Sequence, residues 1–422
     1  MASHKWGHKM LEIYFSAPRM LGHLRRGPSG PYMDGFAALL KRDGYSFDTA
    51  VRYLRAAAHL GHFVLEQGGT LAEINLSPFG EHLQTCRCPR SKGGRGNHHT
   101  PFGAKHFRDF LWKIGVCQFE NATPEVRKEP ELATNFKQWL RKHRGAADPT
   151  IKQYARDAAG LMMELGDNPS CWNATDVRKY FMRGSDQVRS ASVEKLITSL
   201  RAFLRYLAVE GKCPADLDKA IPAYASWRLA ELPRYLTAEQ VNGLIAASDG
   251  VSPGRRRDRA ILLLLVRLGL RAGDVAQLRL ADIEWETGSL RVCGKSRYQV
   301  RLPLPQEVGD AIIAYLECRP SACQSDHVFL RSIAPYRPFL NGDGVSSAMK
   351  RLMKQAGVIT PFKGSHALRH TAATEMLRHG VPLEKIGLVL RHRGVDTTAY
   401  YAKADVVQLK QIAQPWPEAL SC

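Results

Sequence analysis

The chain has 422 residues, of which 44% are hydrophobic, and its 60 Lys and Arg against 40 Asp and Glu give a formal charge of +20. This length predicts two or three domains, and the charge favours nucleic acid over a membrane surface as partner, because no basic amphipathic segment accompanies a lipidation motif. The longest apolar run, 260–266, is too short for a membrane span. The nine cysteines are scattered and do not indicate a disulfide framework, so we expect a cytoplasmic protein.

The first 35 residues are rich in Gly, Pro, His and Arg and predict a loosely ordered lead-in, 1–35. Helical spacing begins at Phe36 and indicates an N-terminal helical domain over 36–130. Arg52 and Arg55 interleave with its apolar stripe and are candidates for DNA binding.

An internal repeat links this domain to the next one. FAALLKRDGYSFDTAVRYLRAAA from Phe36 matches FKQWLRKHRGAADPTIKQYARDAA from Phe136, and FRDFLWKIGV from Phe107 echoes LRAFLRYLAV from Leu200. Two blocks in the same order favour duplication of a small helical domain. The alternative is a chance match between amphipathic helices.

The segment TCRCPRSKGGRGNHH, 85–99, contains Cys86, Cys88, His98 and His99, which are residue types that bind zinc. Cys-x-Cys is tighter than the usual Cys-x2-Cys spacing, however, and the segment is rich in Gly, Arg and Lys. We therefore favour a basic loop that contacts phosphates and predict no metal site.

The second copy, 131–211, ends in a strongly amphipathic helix with a basic face. Solvation is the ordinary fate of such a face, and phosphate contact is the functional alternative. The DNA-binding candidates of this copy are Lys152, Arg156, Arg189, Lys195, Arg201 and Arg205.

Prolines mark 212–235 as a linker, and Thr237 with Gln240 has the spacing of a capping box at the start of a larger domain, 236–405. In that domain Arg271 follows a buried-type apolar run, with Asp274 three residues later. SLRVCGKSRYQVRLPL then predicts two short strands with Lys295 at the turn between them.

The stretch SHALRHTAATEMLRHGVPLEKIGLVLRHRGVDTTAYYA, 365–402, has helical spacing that places His366, Arg369 and His370 on one face. A second helix is predicted from Pro382 to Leu390. His392, Tyr400 and Tyr401 follow it. Arg and His donors suit a phosphate group, and a tyrosine oxygen is able to attack it.

These segments resemble the catalytic domain of the tyrosine recombinases, the phage-type integrases and Xer-type recombinases, over 236–404. The resemblance assigns six catalytic residues: Arg271, Lys295, His366, Arg369, His392 and Tyr401. Tyr401 lies nine positions after His392, the family separation, and is preferred to Tyr400. Two departures are LRH in place of the commoner LGH before His392, and Asp274 where Glu is usual.

The resemblance implies a mainly α fold, with helical DNA-binding domains before a mostly helical catalytic domain that holds a small antiparallel sheet. It implies site-specific recombination of double-stranded DNA through a 3′-phosphotyrosine, by a homo-tetramer on paired sites and with no cofactor. Whether accessory factors take part stays open. The tail 406–422 would dock into a neighbouring protomer or onto its own chain. The identity of the base among the histidines stays open, and His370 is expected to be structural.

Two alternatives remain. A type IB topoisomerase uses a similar Arg, Lys, His and Tyr strategy but reseals the same strand. A non-catalytic protein would only bind DNA sites, which the retention of all six residues disfavours.

Overall fold

The computed structural model describes residues 10–85, 100–117, 130–186, 190–223, 235–293, 299–320, 325–360, 364–392, 398 and 401. The chain divides into two compact units, one made of Met1–Phe119 with Glu231–Cys422 and the other of Glu120–Ala230. Over the described residues the structure is mainly helical with one three-stranded antiparallel sheet, which confirms the predicted fold class. No helix in these ranges is long and apolar enough to cross a bilayer.

The first unit begins with five helices, which we call the N-terminal helical region. They are α1 (Pro18–Arg25), α2 (Gly30–Arg42), α3 (Phe47–Glu66), α4 (Leu76–Thr85) and α5 (Thr100–Lys113). Leu11, Leu24 and Met33 are buried in its core. Residues 10–35 therefore differ from the loosely ordered lead-in expected for 1–35, because short helices with few apolar residues give a weak periodic signal.

The second unit contains four α-helices among its described residues: α6 (Glu131–Arg144), α7 (Asp148–Leu165), α8 (Ala174–Asp186) and α9 (Ser190–Val209). Its core is separate from that of the N-terminal helical region. Positions paired by the repeat are buried in both copies: Phe36 and Phe136, Leu40 and Leu140, Ala58 and Ala158, Phe107 and Leu200, Phe110 and Phe203, Leu111 and Leu204. This shared burial supports the proposed duplication.

The remainder of the first unit, which we call the C-terminal region, starts with α10 (Ala238–Ala247), α11 (Pro253–Arg267) and α12 (Ala272–Gln277). The capping box predicted for Thr237 and Gln240 is present at the start of α10. Ser252 caps α11, and the apolar run 260–265 along that helix is fully buried. This buried helix is the centre of the largest core cluster.

The sheet consists of β1 (Ile283–Glu284), β2 (Ser289–Cys293) and β3 (Gln299–Pro303), in that order. Cys293 pairs with Gln299, so β2 and β3 are the two arms of the predicted hairpin. Lys295 lies between them in sequence and falls outside the described residues.

Four helices complete the C-terminal region: α13 (Gln306–Glu317), α14 (Gly342–Gln355), α15 (Ser365–Arg378) and α16 (Leu383–Leu390). Helix α16 begins one residue after the predicted Pro382, which caps it. The buried Leu236 backbone N–H donates to Thr371 Oγ1 at 2.9 Å, which ties the start of the region to α15. Helix α15 carries His366 and Arg369 of the predicted site, and His392 lies two residues after the end of α16.

Candidate active site

Arg369 projects from α15 and is 6% exposed. Its guanidinium donates to the carbonyl oxygens of Gly269 and Leu390, so it is held between the turn after α11 and the end of α16. Gly269 has φ +59°, and a Cβ there would lie 2.6 Å from the Leu390 side chain. Glycine is therefore required for this close approach of the two elements.

Arg271 lies at the start of α12 and donates through Nη2 to the carbonyl of Arg391, 2.8 Å away. The two predicted arginines thus bind consecutive carbonyls, those of Leu390 and Arg391, at the C-terminal end of α16. This end of a helix carries partial negative charge and unsatisfied carbonyls, which suit guanidinium groups. The backbone of α16 therefore aligns both arginines.

Asp274 and Arg391 form an ion pair whose side chains are 9% and 5% exposed. The same Asp274 Oδ2 accepts the backbone N–H of Arg271 at 3.2 Å. Asp274 therefore fixes the backbone of Arg271 and the turn after α16. The Asp274 carboxylate thus contacts the Arg271 backbone.

The guanidinium groups form a cationic cluster. Burial, followed by the neighbouring charge of Arg271, lowers the pKa of Arg369 to about 10, and Arg391 adds to the effect. Arg369 still carries its charge at neutral pH. A pocket with this concentration of positive charge suits an anion such as a phosphodiester.

His392 faces the same cluster. Burial first, then the charges of Arg369 and Arg271, lower the pKa of His392 to about 4, so the ring is neutral at pH 7. Its Nδ1 lies 2.8 Å from Thr398 Oγ1. A hydroxyl that donates to Nδ1 leaves the ring proton on Nε2, where it is available to an oxygen acceptor.

Tyr401 is buried, with 2% exposure, among Ala373, Leu377, Ile386 and Leu390. Its ring is stacked on His392 at 6.1 Å between centroids, with 6° between the planes. A negative charge on the Tyr401 phenol would raise the pKa of Arg369, because the two groups lie close together. The predicted nucleophile therefore adjoins the arginine and histidine of the site.

A hydrogen bond of 2.8 Å joins His370 Nδ1 and Tyr401 Oη. We expected His370 to be structural, and no residue pattern ranked it above His366. The exposed His366 lies next to it, with 6.4 Å between ring centroids. The shared helix face of His366, Arg369 and His370 was the one available signal, and it does not identify which ring reaches the phenol.

The structure brings together five of the six predicted catalytic residues: Arg271, His366, Arg369, His392 and Tyr401. Lys295 and Tyr400 lie outside the described residues, as does the tail 406–422. Their roles stay predictions.

The predicted DNA-binding residues differ in exposure and in partners. Six of them are exposed on helices: Arg52, Arg55, Lys152, Arg156, Lys195 and Arg205. Of these, Arg205 pairs with Asp218 at 2.6 Å, and the half-buried Arg201 donates to the Ile221 carbonyl at 2.8 Å. Arg189 lies outside the described residues, as do Cys86, Cys88, His98 and His99.

Comparison with known proteins gives a consistent result. The model of the phage integrase family matches residues 234–407. The y4rA integrase/recombinase of Sinorhizobium fredii is 35% identical over 408 residues, which cover 93% of this chain and 97% of that protein. Tyrosine recombinase XerD of Listeria monocytogenes is 28% identical and covers 67% of this chain and 97% of its own length.

Among solved structures, the XerH recombinase bound to a palindromic difH substrate in a post-cleavage complex is similar, with a TM-score of 0.54. The match covers 72% of this chain and 92% of that one at 16% identity. At this identity the likeness concerns the fold alone.

Proposed function

The chain belongs to the phage integrase family of tyrosine recombinases, and we propose from this premise that it exchanges DNA strands between two sites through a 3′-phosphotyrosine bond on Tyr401. The observation that carries the proposal is the meeting of Arg271, Arg369 and His392 beside Tyr401. Members of this family are enzymes of site-specific recombination that cleave and rejoin DNA.

In the proposed reaction Tyr401 Oη loses its proton to His370 and attacks a backbone phosphorus, and the bond from phosphorus to the 5′-oxygen breaks as Lys295 protonates that oxygen. The products are a 3′-phosphotyrosine and a free 5′-hydroxyl, so the phosphodiester energy is retained. Attack by a 5′-hydroxyl of the other site reverses the step and joins the exchanged strands. No outside energy source enters the balance.

Arg271 and Arg369 would bind the two non-bridging oxygens and stabilise the charge of the transition state. His392, neutral with its proton on Nε2, would donate to one of these oxygens. Lys295, from the hairpin between β2 and β3, would protonate the leaving 5′-oxygen. These roles follow the family resemblance and fit the fixed orientation of both guanidiniums on α16.

Removal of the phenol proton falls to His370 in this proposal. A free tyrosine has a pKa of about 10 and needs a proton acceptor at neutral pH. The 2.8 Å hydrogen bond between His370 Nδ1 and Tyr401 Oη supports this assignment, with the phenol O–H as donor in the proposed reaction. His366, next to His370, would then bind the phosphate or support the transfer of the phenol proton to His370.

The domain division stays part of the proposal: helical DNA-binding domains over 36–130 and 131–211, a linker over 212–235 and a catalytic domain over 236–405. Separate cores support it. Following the family, four protomers would act on two DNA sites and pass through a Holliday junction.

The test uses nicked suicide substrates built from the DNA that flanks the coding sequence. Wild-type protein should form a covalent protein–DNA band, and Tyr401→Phe should abolish it, because the phenolic oxygen that attacks phosphorus is gone. Tyr400→Phe is the matched control and should keep the band. A band that persists in Tyr401→Phe and disappears in Tyr400→Phe would reassign the nucleophile.

A second arm distinguishes recombination from its alternatives. Exchange between two labelled sites is expected for a recombinase. Relaxation of supercoiled plasmids that carry no site would indicate a topoisomerase, and binding with no cleavage at any flanking site would indicate a non-catalytic protein.

A further inference from the structure

Arg391 is linked to Arg271 at two points, once through its backbone and once through Asp274. The Arg391 carbonyl accepts a hydrogen bond from Arg271 Nη2 at 2.8 Å. The Arg391 guanidinium donates through Nη2 to Asp274 Oδ2 at 2.5 Å, and the same oxygen accepts the backbone N–H of Arg271 at 3.2 Å. These three hydrogen bonds form a closed ring that holds both the backbone and the guanidinium of Arg271 against the turn after α16.

The Arg391 guanidinium itself is not placed to bind a substrate. Its side chain is 5% exposed, and its Nη2 binds Asp274. Nε and Nη1 are buried and have no hydrogen-bond partner within the described residues. A DNA phosphate does not reach these buried donors in this conformation. Any effect of the side chain on the reaction must therefore pass through the groups that it contacts.

The turn after α16 does not require an arginine side chain. Arg391 has φ 55° and ψ 50°, a left-handed conformation that glycine adopts without strain. The His392 backbone N–H donates to the Gly387 carbonyl at 3.0 Å, so backbone atoms alone close the turn. Burial of a charged guanidinium carries a desolvation cost. This cost indicates a role for the side chain beyond forming the turn.

We propose that Arg391 is a positioning residue for Arg271 and fixes the Arg271 guanidinium at the DNA phosphate during cleavage. The inference rests on the proposed function, in which Arg271 binds a non-bridging phosphate oxygen. The family resemblance leads one to expect glycine at 391 and gives that position no side-chain role. A displacement of about 1 Å in a reacting site costs about 10²-fold in rate. Loss of the ring should therefore lower the cleavage rate rather than the DNA affinity.

The first experiment measures single-turnover cleavage of a saturating nicked suicide substrate by the full chain. Arg391→Gly keeps the left-handed turn but removes the side chain, and it should cleave about 10²-fold more slowly than wild type. Its DNA affinity should stay unchanged, because the buried side chain does not contact DNA. Arg391→Lys retains a cation for Asp274 and should recover part of the rate.

Arg257→Ala is the matched control for loss of stability. Arg257 lies on α11 of the same region, and its side chain is 3% exposed. Its guanidinium pairs with Asp258 at 2.5 Å and donates to the Leu330 carbonyl at 3.0 Å, and neither partner has an assigned catalytic role. Cleavage by Arg257→Ala, measured well below its unfolding temperature, should proceed at the wild-type rate.

Methylphosphonate substrates then identify the arginine through which Arg391 acts. In each of the two diastereomers a methyl group replaces one non-bridging oxygen and removes its charge, which lessens the need for the guanidinium that binds that oxygen. The isomer that restores cleavage more in Arg271→Ala should also restore it more in Arg391→Gly. A purely structural role of Arg391 would give no such shared preference.

The outcomes separate this inference from the proposed function. Absence of a covalent band with the wild-type chain would remove the proposed function and this inference with it. Wild-type cleavage together with an unchanged rate in Arg391→Gly would overturn the inference alone. A rate loss that Arg257→Ala shares, or an isomer preference that differs from that of Arg271→Ala, would leave Arg391 with a structural role only.

Discussion

The side chain that most changes the interpretation of the sequence is His370. The motif identified Arg369 and His366 by spacing, but the choice of a proton acceptor depends on which ring reaches Tyr401 Oη. That depends on the path of the chain between α16 and Tyr401, which the periodicity of α15 does not encode. In our proposal, contact with the phenol, rather than position in the motif, selects His370 as the proton acceptor.

His370→Ala should lower the rate of covalent complex formation on a suicide substrate by about 10²-fold or more, since a positioned general base contributes about 10²–10⁴. DNA affinity should stay unchanged. The rate of the variant should keep rising with pH toward the phenol pKa of about 10, whereas the wild-type rate levels off earlier. Rates are measured by quenched single-turnover assays across pH.

His379→Ala is the control, because His379 follows the same helix and its Nδ1 contacts the Glu375 carbonyl at 2.8 Å, on an exposed surface. It should cleave at the wild-type rate. A His370→Ala protein with wild-type rate and pH profile would return His370 to a structural role.

At the scale of elements, α16 and the turn that ends it organise the site. Arg391 adopts a left-handed conformation, with φ 55° and ψ 50°, where the resemblance leads one to expect glycine. A left-handed residue other than glycine costs about 1–2 kcal/mol. The buried pair with Asp274 offsets that cost and explains why arginine is tolerated in LRH.

Arg391→Ala should lower the free energy of unfolding by about 3–5 kcal/mol, because it leaves the Asp274 carboxylate buried without its partner. Arg391→Gly should be less damaging by about 1 kcal/mol, since glycine adopts the left-handed conformation freely. Urea unfolding of the full chain, followed by tryptophan fluorescence, measures both.

The exposed pair of Arg279 and Asp326, 2.7 Å apart, supplies the control. Arg279→Ala should change stability by about 1 kcal/mol or less. If Arg391→Ala proved as mild as Arg279→Ala, the buried pair would not stabilise the turn.

Elements with a strong repeating pattern were predictable from the sequence. The apolar run of α11, the strands β2 and β3 and the capping box of α10 each have a local signature, and the structure has them. Contacts that use backbone atoms were not predictable. Every residue type has a backbone carbonyl, so the residues at 390 and 391 do not indicate that their carbonyls bind Arg271 and Arg369. Only the three-dimensional structure shows this alignment at the end of α16.

The same limit applies to the basic face of α9. Arg201 and Arg205 have the spacing of phosphate-binding residues, but they bind Ile221 and Asp218, which lie within the predicted linker. A sequence shows that a helix face is basic, but it does not show which of the charged side chains already bind other groups of the same chain. Lys152 and Arg156 lie four residues apart on α7 and are both exposed.

For the whole molecule, a net charge of +20 predicts binding to duplex DNA that weakens steeply with salt, because each phosphate contact releases counterions. Lys152→Ala and Arg156→Ala should each reduce the slope of log affinity against log salt by about 1 if they contact phosphates.

Arg205→Ala is the matched control, because it removes the same charge from the same unit. The Arg205 guanidinium already binds Asp218, so the salt slope should stay unchanged while stability falls. Fluorescence anisotropy over a NaCl series measures the slopes on specific and random duplexes, and the change should be equal on both, because phosphate contacts carry no base information. An unaltered slope in Lys152→Ala and Arg156→Ala, or a reduced one in Arg205→Ala, would show that the DNA lies on a different face of this unit.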